Sequence, residues 1–156
     1  MTMAPASAFI RQAGPEDRAA IEAIVEAAYA PYIPRIGRKP GPMLDDYEIL
    51  IADGRVHVLV DGGIVRGLVV LIPDGDALLL DNVAVDPRAQ GRGYGRMLLN
   101  FAEAEARRTG VRTLRLYTNE AMTENIALYG RLGFVETHRA VEKGLRRIYM
   151  TKVLKA

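Results

Sequence analysis

The residues best suited to chemistry form a glycine-rich turn between a predicted strand and a predicted helix. The turn reads Gln90-Gly91-Arg92-Gly93-Tyr94-Gly95-Arg96. The first amide hydrogens of a helix have no partner within it and carry partial positive charge, and glycines let an anion approach the backbone closely. Arg92 and Arg96 add positive charge at the same end. The turn therefore predicts a phosphate-binding site.

Three phosphate-binding patterns compete for this turn, and their spacing separates them. A P-loop closes with Gly-Lys-Ser/Thr, which is absent here. The dinucleotide fingerprint Gly-x-Gly-x-x-Gly opens a βαβ unit, but the third glycine comes one residue early and an antiparallel meander is predicted before it. The pattern that fits is Gln-x-x-Gly-x-Gly, which Gln90, Gly93 and Gly95 satisfy.

A second motif lies downstream and reads Asn125-Ile126-Ala127-Leu128-Tyr129-Gly130-Arg131-Leu132-Gly133-Phe134. With the first pattern, it resembles the two cofactor motifs of the GNAT N-acetyltransferases, although the spacing between its alanine and tyrosine is shorter than the family's. The resemblance covers nearly the whole chain. It implies one GNAT domain over residues 1–156, with an α+β fold and acetyl-CoA as the cofactor.

The resemblance also assigns residues to the cofactor. In the family, the strand before the turn splays from its neighbour, so Val83, Ala84 and Val85 are the expected contacts of the pantetheine arm. The segment from Gln90 to Arg96 would enclose the pyrophosphate. Asn125 would bond the arm through its amide, or be a polar residue on the helix surface. Asn119 is a further candidate, or part of a loop turn.

Acetyl transfer from a thioester to an amine needs a neutral amine, a stabilised oxyanion and a proton for the departing thiolate. By resemblance, Tyr129 is the general acid, and a phenol with a pKa near about 10 can protonate a thiolate when it is well placed. Strand alternation puts Asp81 on one face with Val83 and Val85, where many family members carry a glutamate as general base. The shorter aspartate leaves a structural or substrate-anchoring role equally open.

The acceptor side rests on the loop that closes over the substrate in this superfamily. In this chain the loop and its flanks offer aromatic and cationic side chains: Tyr29, Tyr32, Arg35, Arg38, Lys39 and Tyr47. Of these, the candidate substrate-binding residues are Tyr29, Tyr32, Arg35 and Lys39. Aromatic and cationic side chains suit a small amine that also bears a carboxylate or phosphate, whereas a polyamine site would need acids. The alternative interpretation is a solvated charged loop.

Hydrophobic periodicity along the chain predicts the element order βααβββαβαββ. The implied sheet is mixed and mainly antiparallel, with six to seven strands and about four flanking helices. The first helix is predicted at Ala19–Ala30, and residues 31–42 are predicted as a loop because Pro31 and Pro34 cannot continue the helix. Three strands separated by turn residues predict an antiparallel meander: Val56–Val60, Ile64–Ile72 and Ala77–Val85.

The composition fits a single globular domain, with 156 residues, 49% hydrophobic and 26% charged. The absence of cysteine excludes disulfides, thiolate zinc sites and cysteine nucleophiles, and no metal site is expected. No leader or membrane-spanning run is found in the sequence, so a cytoplasmic protein without a membrane partner is expected. Arginines cluster between Arg88 and Arg115, but no nucleic-acid-binding signature accompanies them.

These features favour an N-acetyltransferase that acts on a small amine by direct attack in a ternary complex, with no nucleic-acid partner. A homodimer is possible by family resemblance. Two other functions stay open. The chain could be a non-catalytic acyl-CoA-binding or regulatory module, or it could acetylate the N-terminus or a lysine of a protein.

Overall fold

The computed structural model describes residues 7–155, so the predicted domain of residues 1–156 extends past the described residues at both ends. The strands are β1 (Phe9–Gln12), β2 (Val56–Asp61), β3 (Ile64–Asp74), β4 (Ala77–Val85), β5 (Thr113–Asn119), β6 (Val135–Glu142) and β7 (Leu145–Val153). They form one seven-stranded sheet in the order β1-β2-β3-β4-β5-β7-β6. Strands β4 and β5 run parallel, and the other neighbouring pairs are antiparallel.

The predicted meander is confirmed, and its first turn shows why. Strands β2 and β3 are joined by Gly62 and Gly63, with φ angles of 63° and 77°. Positive φ at both central residues matches the hairpin turn whose twist suits the flanking strands, and glycine takes that conformation without steric cost. The turn chemistry of the sequence therefore fixes the antiparallel pairing of β2 with β3.

The helices are α1 (Arg18–Tyr29), α2 (Ile33–Ile36), α3 (Tyr47–Ala52), α4 (Tyr94–Arg108) and α5 (Thr123–Arg131). Helix α1 buries Ile21, Ile24 and Val25 in one hydrophobic cluster with β2 and β3, and α4 buries Leu98 and Ala102 in the other. Each helix therefore buries a stripe at helical spacing against the sheet. The mixed α+β fold predicted from the sequence is confirmed.

The predicted loop at residues 31–42 is wrong in part. The segment contains two short helical pieces, a 3-10 turn at Ala30–Tyr32 and the one-turn helix α2. Pro31 and Pro34 each lie in the first turn of one piece, where no intrahelical amide bond is required and the fixed φ of proline suits the helix. After α1, each proline therefore begins a short helical piece, in addition to preventing the preceding helix from continuing.

Among residues 7–155, none of the helices has the length and apolar character needed to cross a bilayer.

Two irregularities in β4 shape the site. Strands β4 and β5 pair over three residues only, Ala77 to Leu79 opposite Thr113 to Arg115, and then diverge. In addition, the register between β3 and β4 shifts so that Val70 pairs with Asn82 and Leu71 with Leu80, which leaves Asp81 as an extra residue in a β-bulge. Bulges re-aim side chains and end regular pairing. The divergence opens a gap in the middle of the sheet.

Candidate functional site

The gap between β4 and β5 opens into a cavity of about 430 Å³, bounded by β4, the start of α4, α5 and the end of α1. Among its lining residues are many of the predicted cofactor residues: Val83, Ala84, Val85, Gln90, Gly91, Gly93, Tyr94, Gly95, Arg96, Asn125 and Tyr129. Beyond the three paired residues, the β4 edge that faces β5 keeps its backbone groups free of strand pairing. Those groups are available to an extended ligand laid along the strand.

The start of α4 forms one end of this cavity. Gly93 caps the helix with a φ of 82°, a left-handed conformation that favours glycine. The first backbone bond of the helix joins the Met97 amide to the Gly93 carbonyl, so the amides of Tyr94, Gly95 and Arg96 precede the ladder. This arrangement presents unpaired donors and the positive end of the helix dipole to an anion.

The arginines near this turn divide into two groups. Arg88, Arg107, Arg108 and Arg115 each lie within 4.0 Å of a carboxylate. Arg92 and Arg96 are exposed at the start of α4 and make no ion pair within residues 7–155. Arg96 lines the cavity, whereas Arg92 lies beside it. Two arginines without a carboxylate partner among the described residues therefore lie where the sequence predicts a phosphate.

The side chain of Tyr94 has a structural role at this point. It is 1% exposed, and its hydroxyl bonds the Asp61 carboxylate at the end of β2. This contact ties the first residue of α4 to the sheet and fixes where the helix starts. Tyr94 therefore offers its backbone, rather than its ring, to a bound anion.

Tyr129 and Asn125 lie one turn apart on α5, and both line the large cavity and a smaller adjoining one. The Tyr129 ring packs edge-on against Phe134, with ring centroids 5.7 Å apart. Burial, with a smaller effect of Tyr32, raises the pKa of the Tyr129 phenol to about 12. The phenol is therefore protonated at neutral pH and is a proton donor at the junction of the two cavities.

The smaller cavity, of about 40 Å³, lies on the far side of Tyr129, and Asp81 lines it. The expectation that Asp81 shares a face with Val83 and Val85 is wrong, because the bulge breaks the alternation. Asp81 accepts a hydrogen bond from the Tyr117 hydroxyl at 3.2 Å, whereas Val83 and Val85 pack against the core under α4. Asp81 therefore points toward the side of the sheet that carries α1 and α3.

Asn82 follows the bulge and lines the smaller cavity. Its amide oxygen accepts from the Tyr29 hydroxyl at 2.5 Å, and its amide nitrogen donates to the Tyr47 hydroxyl at 3.0 Å. Asn82 is 3% exposed, so these bonds satisfy a buried amide. The predicted substrate residue Tyr29 lines both cavities, with its hydroxyl committed to Asn82. Tyr47 belongs to the predicted acceptor segment, whereas no sequence pattern indicated Asn82.

The other predicted acceptor residues lie apart from the small cavity. Arg35 donates to both carboxylate oxygens of Glu124 on α5, at 2.7 and 2.9 Å. Tyr32 lies under the Arg35 guanidinium and lines the larger cavity. Lys39 is exposed and belongs to neither set of lining residues. Arg35 therefore holds the α2 segment against α5, and the structure brings only Tyr29 to the small cavity.

Asn119 lies at the end of β5, and its side-chain oxygen accepts from the Ala121 amide at 2.9 Å. It lines the smaller cavity rather than the larger one in which its cofactor role was predicted. Sequence analysis also missed Arg147, which lines the same cavity and places its guanidinium 4.3 Å from the centre of the Tyr117 ring. The pairing of β5 with β7, which puts Tyr117 opposite Tyr149, brings these distant residues together.

Comparison with known proteins identifies the scaffold. Residues 52–136, more than half of the chain, match the sequence model of the Acetyltransferase (GNAT) domain. A Salmonella typhimurium [ribosomal protein bS18]-alanine N-acetyltransferase is 48% identical over 61 residues, covering 39% of this chain and 41% of that protein. A mycothiol acetyltransferase of Geodermatophilus obscurus is 43% identical over 65 residues, covering 42% of this chain and 20% of that protein. The matches thus span less than half the length of these curated relatives.

A solved structure matches along nearly the whole chain. The protein yncA of Salmonella typhimurium, solved with its cofactor acetyl-CoA, superposes with a TM-score of 0.71 at 27% identity. The match covers 96% of this chain and 95% of that one. The overall fold is therefore shared with a protein whose structure holds acetyl-CoA.

Proposed function

The chain belongs to the acetyltransferase (GNAT) family, and we propose that it transfers the acetyl group of acetyl-CoA to an amine. One observation carries the proposal: Tyr129 and Asn125 line both cavities, so they stand where a thioester in the larger cavity would meet an amine in the smaller one. The likeness to a structure that holds acetyl-CoA supports acetyl-CoA as the donor.

The residues of the larger cavity fit this donor. The amides of Tyr94, Gly95 and Arg96 and the charge of Arg96 suit the pyrophosphate. The free edge of β4 at Val83 to Val85 suits the amide groups of the pantetheine arm, which can pair with a strand as a peptide does. When bound, acetyl-CoA supplies an activated acyl group at the inner end of the cavity, next to Tyr129.

The residues at the junction of the cavities supply the proton transfers. Tyr129, protonated at neutral pH, donates its proton to the sulfur as the carbon–sulfur bond breaks. Asp81 accepts the proton that the acceptor ammonium must lose, so that the nitrogen lone pair can form the bond to the acetyl carbon. The sequence contains no cysteine to carry an acetyl intermediate, which favours direct transfer.

The acceptor we favour is a small amine that also bears an anionic group. Asp81 and Arg147 both line the small cavity, and their opposite charges suit an ammonium and an anion on the same molecule. In this proposal Arg147 binds the anionic group of the acceptor, the role predicted from the sequence for Arg35 and Lys39.

Transfer to a protein N-terminus is the second candidate, supported by the likeness to an enzyme that acts on ribosomal protein bS18. A peptide terminus would place one residue in the small cavity and the rest of the peptide outside it. A non-catalytic acyl-CoA-binding module is the third, and the position of a protonated Tyr129 between the two cavities argues against it.

The test is a turnover screen with acetyl-CoA that records thiol release. It compares amino acids and aminophosphonates, simple alkylamines, polyamines, and peptides with a free N-terminus. We expect an anionic small amine to be turned over with the highest kcat/KM. A clear preference for peptides would move the assignment to protein acetylation. Binding of acetyl-CoA without thiol release for any acceptor would overturn the enzymatic proposal.

A further inference from the structure

One side chain, that of Tyr117 on β5, contacts both charged groups of the small cavity. Its hydroxyl donates to Oδ1 of Asp81 at 3.2 Å, and the guanidinium carbon of Arg147 lies 4.3 Å from the centre of its ring. All three residues line the cavity. They come from β4, β5 and β7, so no local sequence pattern indicates the arrangement. The carboxylate and the guanidinium are therefore held by one aromatic side chain.

The Tyr117 ring is supported by its neighbours in the sheet. Tyr117 lies opposite Tyr149 in the pairing of β5 with β7, and the two ring centroids are 5.6 Å apart. Tyr149 in turn lies opposite His138 on β6, and these two rings stack with centroids 4.3 Å apart. Cross-strand aromatic pairs stabilise the sheet that carries them. The row of rings supports Tyr117 on the β7 side, and the bond to Asp81 holds it on the β4 side.

Arg147 is held on two sides. In addition to the Tyr117 ring, it has Glu142 on β6 as a neighbour, with Nη1 3.9 Å from Oε1, and its side chain is 12% exposed. Glu142 also accepts a hydrogen bond from the Tyr149 hydroxyl. A guanidinium stacked on an aromatic face keeps the N–H donors at its edge available to a carboxylate or phosphate. The stack therefore sets the direction in which Arg147 presents its donors to an acceptor.

We propose that Tyr117 is a positioning residue that fixes the separation of the Asp81 carboxylate and the Arg147 guanidinium, and thereby selects acceptors whose ammonium and anionic group are one or two carbons apart. The inference rests on the proposed function. Both charges are anchored to one rigid ring, so they cannot adapt independently to a longer acceptor. The space between them is also small, at about 40 Å³, which favours the shortest acceptors.

The test measures kcat and KM for a series of unbranched amino acids: glycine, 3-aminopropanoate, 4-aminobutanoate and 5-aminopentanoate. Propylamine, which has no anionic group, completes the series. In the wild type we expect kcat/KM to fall by at least about tenfold from the first two acids to the last two. Tyr117→Leu removes the ring, so we expect its KM for glycine to rise by about tenfold, the size of a desolvated cation–π contact, and its length preference to shrink to about threefold. Its KM for propylamine should stay within about twofold of wild type.

Tyr117→Phe separates the ring from the hydroxyl. The ring still carries Arg147, so the KM for glycine should stay within about threefold of wild type. The bond that orients Asp81 is lost, so kcat should fall by a similar factor with every acceptor, about fivefold. A KM for glycine that rises as much in Tyr117→Phe as in Tyr117→Leu would show that the stack does not position Arg147 and would overturn the inference.

Two controls separate positioning from a general loosening of the sheet. Tyr149→Leu removes the neighbouring ring, which lines neither cavity, and should keep the length preference. An equal loss of preference in Tyr149→Leu would overturn the inference. In an Arg147→Gln background, Tyr117→Leu should change the KM for glycine by no more than about twofold, because Tyr117 acts on the anion through Arg147. A further tenfold rise in that background would contradict this route.

A last measurement needs no turnover. In proton spectra of the free protein, the ring current of Tyr117 should shift the Arg147 side-chain protons upfield in the wild type and in Tyr117→Phe, and the shift should be lost in Tyr117→Leu. Unshifted Arg147 protons in the wild type would overturn the inference even if every acceptor fails. A wild type that acetylates all four amino acids equally well would also overturn it and leave the proposed function standing. A wild type that binds acetyl-CoA and acetylates no amine would overturn the proposed function instead.

Discussion

A single hydroxyl group stands at the centre of the proposed chemistry. Tyr129 lines both cavities, and its ring packs edge-on against Phe134. The raised pKa keeps the proton on the phenol until a thiolate develops next to it, so the position of the hydroxyl decides whether the proton can be transferred. Removal of the hydroxyl should therefore impair chemistry without disturbing the fold.

We expect Tyr129→Phe to lower kcat by about 100-fold, a typical contribution of a positioned general acid, with the CoA dissociation constant within about twofold of wild type. Steady-state kinetics and CoA titration by calorimetry measure the two quantities. Tyr32→Phe is the matched control: Tyr32 lines the same cavity, and its hydroxyl is 3.5 Å from Glu124. If Tyr129→Phe retains the wild-type kcat across the pH range, Tyr129 is not the acid.

At this scale the sequence predicted the residues that belong to local motifs and missed those that depend on packing. Tyr129 and Asn125 lie in one contiguous motif, so their spacing on α5 brings them together. Asp81, Asn119 and Arg147 are distant in the chain and line the same cavity through the pairing of β5 with β7. No local pattern encodes those contacts.

At the scale of single elements, the first turn of α4 links the sequence motif to the cavity. An ideal Cβ added at Gly95 would meet no atom within 4 Å, and Gly95 lines the cavity. Neither packing within the protein nor a positive φ therefore requires glycine at this position. The remaining reason for glycine is the close approach of a ligand to the backbone.

Gly95→Ala should accordingly have opposite effects on stability and binding. We expect the free energy of unfolding to rise by up to about 1 kcal/mol, because alanine favours the helix. We expect CoA affinity to fall by at least about tenfold, or about 1.4 kcal/mol, because the methyl group projects into the cavity. Urea unfolding and CoA titration measure the two effects.

Gly130→Ala provides the comparison for this substitution. Gly130 lies on α5, a Cβ there also meets nothing within 4 Å, and it lines neither cavity. It should gain similar stability and bind CoA as the wild type does. Equal CoA affinity in both variants would show that the α4 turn does not hold the diphosphate.

The elements themselves were predictable where hydrophobic period and turn residues agree. Strand β4 has the predicted bounds, and β2 and β3 begin at their predicted residues. The bulge at Asp81 was not predictable, because it arises from the register of β4 against β3 and changes no local preference. Helix α2 was not predicted, because Pro34 was interpreted only as a residue that ends a helix, whereas it lies in the first turn of α2.

For the whole molecule, the sheet order follows from chain order with one exception, the placement of β7 between β5 and β6. The resemblance to the GNAT family predicted the mixed sheet and its splay, whereas residue periodicity alone could not have placed the parallel pair β4–β5. Strands β1–β4 and strands β5–β7 are joined through the three residue pairs between β4 and β5, and the hydrophobic cluster under α4 supports this junction. Donor binding between β4 and β5 should therefore stabilise the entire protein.

A ligand that contacts β4, α4 and α5 together stabilises the folded state alone, since these elements come together only on folding. At a CoA concentration of about 100 times its dissociation constant, the gain is about 2.7 kcal/mol. For a domain of this size that corresponds to a rise in the thermal unfolding midpoint of about 5 to 11 °C. Differential scanning fluorimetry with CoA, ADP and pantetheine measures it, and each fragment should shift the midpoint less than CoA because it spans one end of the cavity. A midpoint unchanged by millimolar CoA would contradict the donor site, and a full shift with ADP alone would confine binding to the start of α4.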